Sequence, residues 1–406
     1  MLLVLHPPLR VQHGRLMWDA QACNGLEQWA DNFGSIVVAA PAIPEAIAER
    51  DKTIVWRDTA TLQDLERFQF VQLPWAYSLP EFFRTYNATR KLFAELIGQC
   101  QYLQFAIGGL VGDWAAIAAL EAQRQGRNYA IHADRVEHQV VLQVAKKAQL
   151  KSRLVANIRS PLMAQLEKCV IKRASLGLWH GQDCYTAYSP LCLNSHVVHD
   201  VHTKVNDAIA PAALAAKVKA ALSDPVLRIC YAGRISAMKA PLEWVRALGV
   251  ARDLGVNLQA IWFGNGDLIE EMSALISALN LDSCVELYGL ERDRGRLLQK
   301  IREAHLMPFT HITPESPRCL IESLVSGTPI VGYESQYVEE LTENYGGGAF
   351  VPVHGWQPLG ELIAALYHDR SRLAQLIQEA GTNGARFNDE AVFRERSQLI
   401  RRHLAH

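Results

Sequence analysis

The chain has 406 residues, 49% apolar and 20% charged, with 41 basic against 42 acidic side chains and a formal net charge of −1. A single core stops growing near about 250–300 residues, so this length implies two or three domains, each with enough apolar residues for an ordinary core. The neutral balance argues against a globally basic nucleic-acid binder. Eight scattered cysteines without a C-x-x-C pair read as thiols in a reducing compartment rather than a zinc framework. No run of about 18 apolar residues is present for a transmembrane helix.

The first eight residues are too short an apolar run for a signal peptide and lack a basic lead, so a cytoplasmic location is expected. Apolar runs at 1–6, 35–39, 70–73, 102–107, 129–132 and 176–179 predict strands. Segments 25–32, 81–98 and 113–123 predict helices, and 139–173 a helix that Pro161 splits in two. In the second half, strands at 227–232, 257–263, 285–288, 306–309 and 329–333 alternate with helices, among them 241–252 and 268–279. Such alternation implies βαβ units and parallel sheets covered on both faces. The expected class is α/β, with two Rossmann-like doubly wound domains facing a central cleft where ligands of such sheets bind. The expected division is 1–205, 206–385 and an arginine-rich terminal helix within 386–406 that packs back on the first domain.

Three constellations carry chemistry. In the first, Tyr231-Ala232-Gly233-Arg234-Ile235-Ser236-Ala237-Met238-Lys239-Ala240-Pro241, a strand ends at glycine, a loop carries two cations and proline opens a helix. A helix amino end offers amides and positive potential to an anion, and arginine binds phosphate oxygens in pairs. The pattern suits a diphosphate; two solvated surface cations are the bland alternative. In the second, Gly264-Asn265-Gly266 follows a strand. The glycines permit close backbone approach to a ligand or simply a tight turn, and no third glycine completes a dinucleotide fingerprint. In the third, Glu315-Ser316-Pro317-Arg318-Cys319-Leu320-Ile321-Glu322 leads to Gly327-Thr328-Pro329-Ile330-Val331. Ser316 reads as the N-cap, Pro317 as the first helical residue and Gly327 as the terminator. Glu322 lies among apolar neighbours, either facing water or kept for ligand hydroxyls.

In this order and separation, the three resemble the donor-binding half of glycosyltransferase family 4, of the GT-B fold, over residues 226–385. Val285-Glu286-Leu287-Tyr288-Gly289, Glu340-Leu341 and Gly346-Gly347-Gly348 also match its pattern. The resemblance implies a retaining hexosyltransferase that moves sugar from a nucleotide-diphosphate sugar to a hydroxyl acceptor, in polysaccharide or lipid-linked glycan synthesis. It implies that Arg234 and Lys239 hold the diphosphate, Glu322 the ribose and Glu315 the sugar, with His132 at a strand end of the other domain. Gly233, Gly264, Gly266, Leu290, Cys319 and Leu320 fall on its nucleotide-binding positions. The family places one residue more between its two acids than the six found here, so Thr313 or His311 shares the role of Glu315. The usual glycine pair near the amino end is missing, and Asn24-Gly25-Leu26 at a helix start stands in for it. No Asp-x-Asp is present; no metal and no cofactor beyond the donor substrate are expected.

Between 140 and 175, Lys146, Lys147, Lys151, Arg153, Arg159, Lys168, Lys172 and Arg173 face a single acid, Glu167. A solvated face is the default for a charge run; peripheral contact with an anionic membrane is the sharper expectation. The alternatives to transfer are a phosphorylase or epimerase on the same fold, a Rossmann oxidoreductase, and a non-catalytic sugar-binding scaffold.

Overall fold

The computed structural model describes every residue except Lys52, Thr53, Lys147, Ala148, Asp200, Pro314 and His406, and the side chain of Gln21. The chain divides into two units, Met1–His202 with Pro314–Ser316 and Glu390–His406, and Thr203–Thr313 with Pro317–Asp389.

In the first unit the strands are β1 (Leu2–Val4), β2 (Arg10–Gln12), β3 (Arg15–Asp19), β4 (Ile36–Pro41), β5 (Trp56–Asp58), β6 (Phe68–Leu73), β7 (Leu103–Ala106), β8 (Ala130–Ala133), β9 (Leu176–His180) and β10 (Ser195–Val198). Seven of them form a parallel sheet in the order β10-β9-β8-β7-β1-β4-β6. Successive side chains alternate between two cores, as the pleat requires. Leu2, Val4, Phe105, Ile131 and Trp179 enter one, while Leu3, Val38, Ala130 and Leu178 enter the other. The second core is completed by Phe393, Leu399, Ile400 and Leu404 of the terminal helix Asp389–Leu404.

Two expectations about this unit are corrected, and one sheet is additional to them. Asn24 and Gly25 do not start a helix; they lie inside Ala20–Phe33. Gly25 is small there because a Cβ would stand 3.2 Å from Cζ of Phe393. The long helical segment breaks between Glu137–Ala145 and Leu150–Ile171, not at Pro161, which lies inside the second helix. Proline there removes one bond to the carbonyl of Asn157, but both residues lie on the exposed side, where water replaces it. The antiparallel sheet β2-β3-β5 was not expected at all. Its hairpin turns through His13 and Gly14, both at positive φ (51° and 74°), with Gln12 opposite Arg15. A two-residue loop of that hand suits the strand twist, and His-Gly is a weaker signal for it than Asn-Gly.

The second unit holds β11 (Leu227–Ala232), β12 (Leu258–Phe263), β13 (Val285–Gly289), β14 (Met307–Phe309), β15 (Ile330–Tyr333) and β16 (Gly348–Val351). Two three-stranded parallel sheets, β11-β12-β13 and β14-β15-β16, are joined where Ile229 bridges Leu306 and the Cys230 amide donates to Leu306 O at 3.1 Å. The spatial order is therefore β13-β12-β11-β14-β15-β16, the doubly wound arrangement. Its strand order reverses between β11 and β14, the point at which open sheets of this kind place a ligand crevice at the strands' carboxyl ends.

The amino end of the same junction is fastened by His305, which is 1% exposed; its Nδ1 accepts from the Arg228 amide at 3.1 Å. Burial first, then the Arg228 charge, lower its pKa to about 4. Between that value and the unfolded value near 6.5 the unfolded chain binds more protons, so this contribution to stability is complete above about pH 6.5 and is lost as pH falls toward 4. The unfolding free energy from denaturant titration should fall across that window, by at most about 1.4 kcal/mol per pH unit from this group. The fall should be shallower in His305→Asn; an unchanged slope would assign it to other groups.

Among the described residues, no helix is long and apolar enough to cross a membrane.

Candidate functional site

The loop leaving β11 is built by interlocked backbones. The Gly233 amide donates to Phe263 O at 2.9 Å, and the Ile235 amide to Asn265 O at 3.0 Å. Trp262 Nε1 donates to Gly233 O at 2.9 Å. Gly264 has φ +139°, and a Cβ there would stand 2.1 Å from Gly233 O; one at Gly266 would stand 2.1 Å from Ile235 O. These two glycines are therefore demanded by the neighbouring loop that carries Arg234. The Gly264 amide donates onward to Gly289 O at 2.7 Å, so the loops after β11, β12 and β13, the last carrying Leu290, form one layer.

The continuation past Arg234 is pinned from β14. A single turn, Ala237–Lys239, leads through Ala240 (φ 43°) into the helix Pro241–Asp253, with proline in its first turn. Thr310 Oγ1 donates to Lys239 O at 2.8 Å and to Ala240 O at 3.0 Å. The Ile312 amide donates to Met238 O at 3.0 Å. Arg234 is exposed and Lys239 half-buried. Beneath them, Tyr231 Oη and His311 Nε2 lie 2.6 Å apart. Burial and then the Lys239 charge hold the His311 pKa well below the ordinary histidine value, so the ring is neutral at pH 7. Two hydroxyls, Ser236 Oγ and Thr313 Oγ1, are buried without a hydrogen-bond partner among the described residues. Buried polar atoms are ordinarily satisfied, so both mark places for water or ligand.

The helix after β14 is Arg318–Val325, with Pro317 as its N-cap, one residue later than the sequence implied. Ser316 does not cap it; its hydroxyl donates instead to His180 O at 2.5 Å. The Leu320 amide closes the first turn onto Pro317 O at 3.2 Å, and its side chain is fully buried. Cys319 is half-buried. Gly327 follows the helix at φ +65°. The side chain of Glu322 is 12% exposed, and its Oε1 accepts from Arg294 Nη1 at 2.7 Å. Arg294 was not singled out from sequence, because an ion pair spanning 28 residues leaves no periodic trace.

Gly233, Arg234, Lys239, Gly264, Gly266, Leu290, Cys319, Leu320 and Glu322 thus all lie in the second unit, whereas His132 and Glu315 lie in the first. There the backbone of Glu315 forms an isolated antiparallel β-bridge with that of Arg135. His132, 7% exposed on β8, has Nε2 3.4 Å from Asp134 Oδ1, and His180 Nδ1 lies 3.7 Å from the same oxygen. A cavity of about 460 Å³ in the second unit, lined by Arg228, Cys230, Gln259 and Lys300 among others, lies toward the amino ends of β11–β13, away from the crevice end.

Residues 210–382 match the family described as glycosyl transferases group 1. The match falls within the second unit, and the fold of the chain is GT-B, with Rossmann-like α/β units. Among similar solved structures is HepE of Anabaena in complex with UDP-glucose, at 16% identity, covering 98% of each chain with a TM-score of 0.64. Sucrose-phosphate synthase of Thermosynechococcus elongatus is similar at 14% identity, over 99% of this chain and 98% of that one, TM-score 0.68. WaaG, a glycosyltransferase involved in lipopolysaccharide biosynthesis, is similar at 12% identity, over 98% and 99%, TM-score 0.61. None of the curated protein sequences compared matches this chain.

Proposed function

We propose that the second unit binds a nucleotide-diphosphate sugar and that the protein transfers the sugar to a hydroxyl acceptor with retention of anomeric configuration. The observation that carries this is the position of Arg234 and Lys239 on the loop leaving β11, where the strand order reverses, within the stretch that matches the family. At such a point an open sheet offers a crevice, the helix Pro241–Asp253 presents its positive end, and two cations add full charges. Charge that accumulates on the departing diphosphate is stabilised by groups already in place. Glu322 takes the ribose hydroxyls, and the hydroxyls of Ser236 and Thr313 serve phosphate or sugar oxygens. In the transfer step the acceptor oxygen bonds to the anomeric carbon as the bond to the diphosphate oxygen breaks on the same face. The acceptor proton passes to the leaving phosphate.

The test is calorimetric binding and turnover across uridine, adenosine and guanosine diphosphate sugars, with NAD as the contrast. A similar structure holds UDP-glucose, which makes that donor the first to try. Saturable binding of a nucleotide sugar, with release of its diphosphate, is expected. Binding of NAD and of no nucleotide sugar would refute the reading.

A lipid-linked or polysaccharide acceptor is proposed with it, from the outer face of Leu150–Ile171. Leu150, Leu154, Ile158 and Leu162 are 83%, 64%, 61% and 54% exposed, one above the other at four-residue intervals, while Ala156, Met163, Glu167 and Val170 face inward. Lys151, Arg153, Arg159 and Lys168 share this helix, and Lys147 lies outside the described residues. An apolar stripe edged by cations is complementary to an anionic bilayer surface, where the stripe enters the headgroup boundary and the cations meet phosphates. The protein should sediment with phosphatidylglycerol vesicles and not with phosphatidylcholine vesicles, and Leu154→Glu with Ile158→Glu should lower that binding ~10-fold or more. Equal sedimentation with both lipids would refute the contact.

A further inference from the structure

The partner of Glu322 has more to offer than one hydrogen bond. Arg294 opens the helix Arg294–Glu303, behind the N-cap Asp293 and the loop that leaves β13. Its Nη1 donates to Glu322 Oε1 at 2.7 Å, while Nε and Nη2 are buried and have no hydrogen-bond partner among the described residues. Two charged donors left dry are unfavourable, so the guanidinium has two donors to offer to an acceptor beyond the described residues. Glu322 Oε2 also accepts no hydrogen bond among the described residues. One carboxylate oxygen is thus spent on holding the acid in place and the other is available.

We propose that Arg294 is a donor-specificity residue. It fixes Glu322 for the ribose and presents Nε and Nη2 to the base edge beside the 2′-hydroxyl, which admits uracil and adenine and disfavours guanine. The inference rests on the donor site proposed above. In an extended nucleoside the 2′-hydroxyl shares an edge with O2 of a pyrimidine or N3 of a purine. Uracil and adenine present only an acceptor there, whereas guanine adds its N2 amino donor. A guanidinium carries five donors and no acceptor, so it pairs with the first two and opposes the third. Rejection through a donor facing a donor is stronger than rejection by size, because polar hydrogens are left without partners.

The experiment is calorimetric titration of UDP, ADP and GDP onto the full chain, its Arg294→Ala and Arg294→Lys variants, and Glu322→Gln. UDP or ADP should bind the unsubstituted protein ~10-fold or more tightly than GDP. In Arg294→Ala binding should persist with that preference reduced to within about 3-fold, and Arg294→Lys, a point donor without the fork, should fall between. Glu322→Gln should weaken all three alike and keep the preference. GDP binding as tightly as UDP and ADP to the unsubstituted protein would overturn the proposal. So would an equal loss for all three nucleotides in Arg294→Ala, the result expected of a residue that only props Glu322. If no nucleotide bound the unsubstituted protein, the donor site itself would fall and the proposal with it.

Discussion

Lys239→Ala is expected to lower transfer by ~10²–10³-fold, the usual loss when one preorganised charge partner of a leaving group is removed. The side chain is half-buried, and the backbone carbonyls of Lys239 and Ala240 on its turn accept from Thr310 Oγ1. The turn should therefore survive truncation, and the unfolding midpoint should move little. Glu322→Ala should act on the other end of the donor. It removes the proposed ribose acceptor and strands Arg294 without its one side-chain partner among the described residues, so donor affinity should fall together with turnover. Steady-state kinetics beside thermal melts separate the two cases. Near-normal turnover in both variants would remove Arg234, Lys239 and Glu322 as a donor site.

Gly264→Ala is expected to have the largest effect on stability. The backbone there adopts φ +139°, a region essentially closed to residues with a Cβ, and the added carbon would stand 2.1 Å from Gly233 O. Strain and overlap together should cost about 3 kcal/mol, which lowers the unfolding midpoint by roughly 6–12 °C in a unit of this size. The carbonyl that must retreat belongs to the residue before Arg234 and also accepts from Trp262 Nε1, so the cation loop should shift with it. Gly255→Ala is the control: φ is +86°, but nothing lies within 4 Å of the added carbon. That variant tests strain without overlap and should lose about 1 kcal/mol. An equal loss in the two variants would mean that contact with the Gly233 loop contributes nothing.

Much of the fold was legible because parallel sheets buried on both faces need strands that read as short apolar runs, and those runs are local. The strands at 227–232, 257–263 and 306–309 lie within a few residues of their observed bounds; their alternation with helices implied the α/β class, and the resemblance of the ordered motifs implied GT-B. The antiparallel hairpin through His13 and Gly14 escaped because its turn lacks the usual residues. Pro161 misled because proline normally ends a helix, yet here the freed carbonyl faces water. Ser195–Val198 and Gly348–Val351 were missed as strands; one carries a histidine and the other a glycine, and neither is a continuous apolar run.

The sequence by itself determined which residue types stand on which loop. Arg234 and Lys239 follow a strand and precede a proline-led helix, Glu322 sits on a helix closed by Gly327, and their order along the chain identifies the class. Only the tertiary structure decided what each residue meets. It assigned Gly264 and Gly266 to the packing of one loop against another, placed Glu315 beside Arg135 and Ser316 against His180, and paired Glu322 with Arg294. The reason is physical. Helix and strand preferences, caps and turns act between neighbours along the chain, whereas these contacts join residues brought together only when strands align and helices cover them.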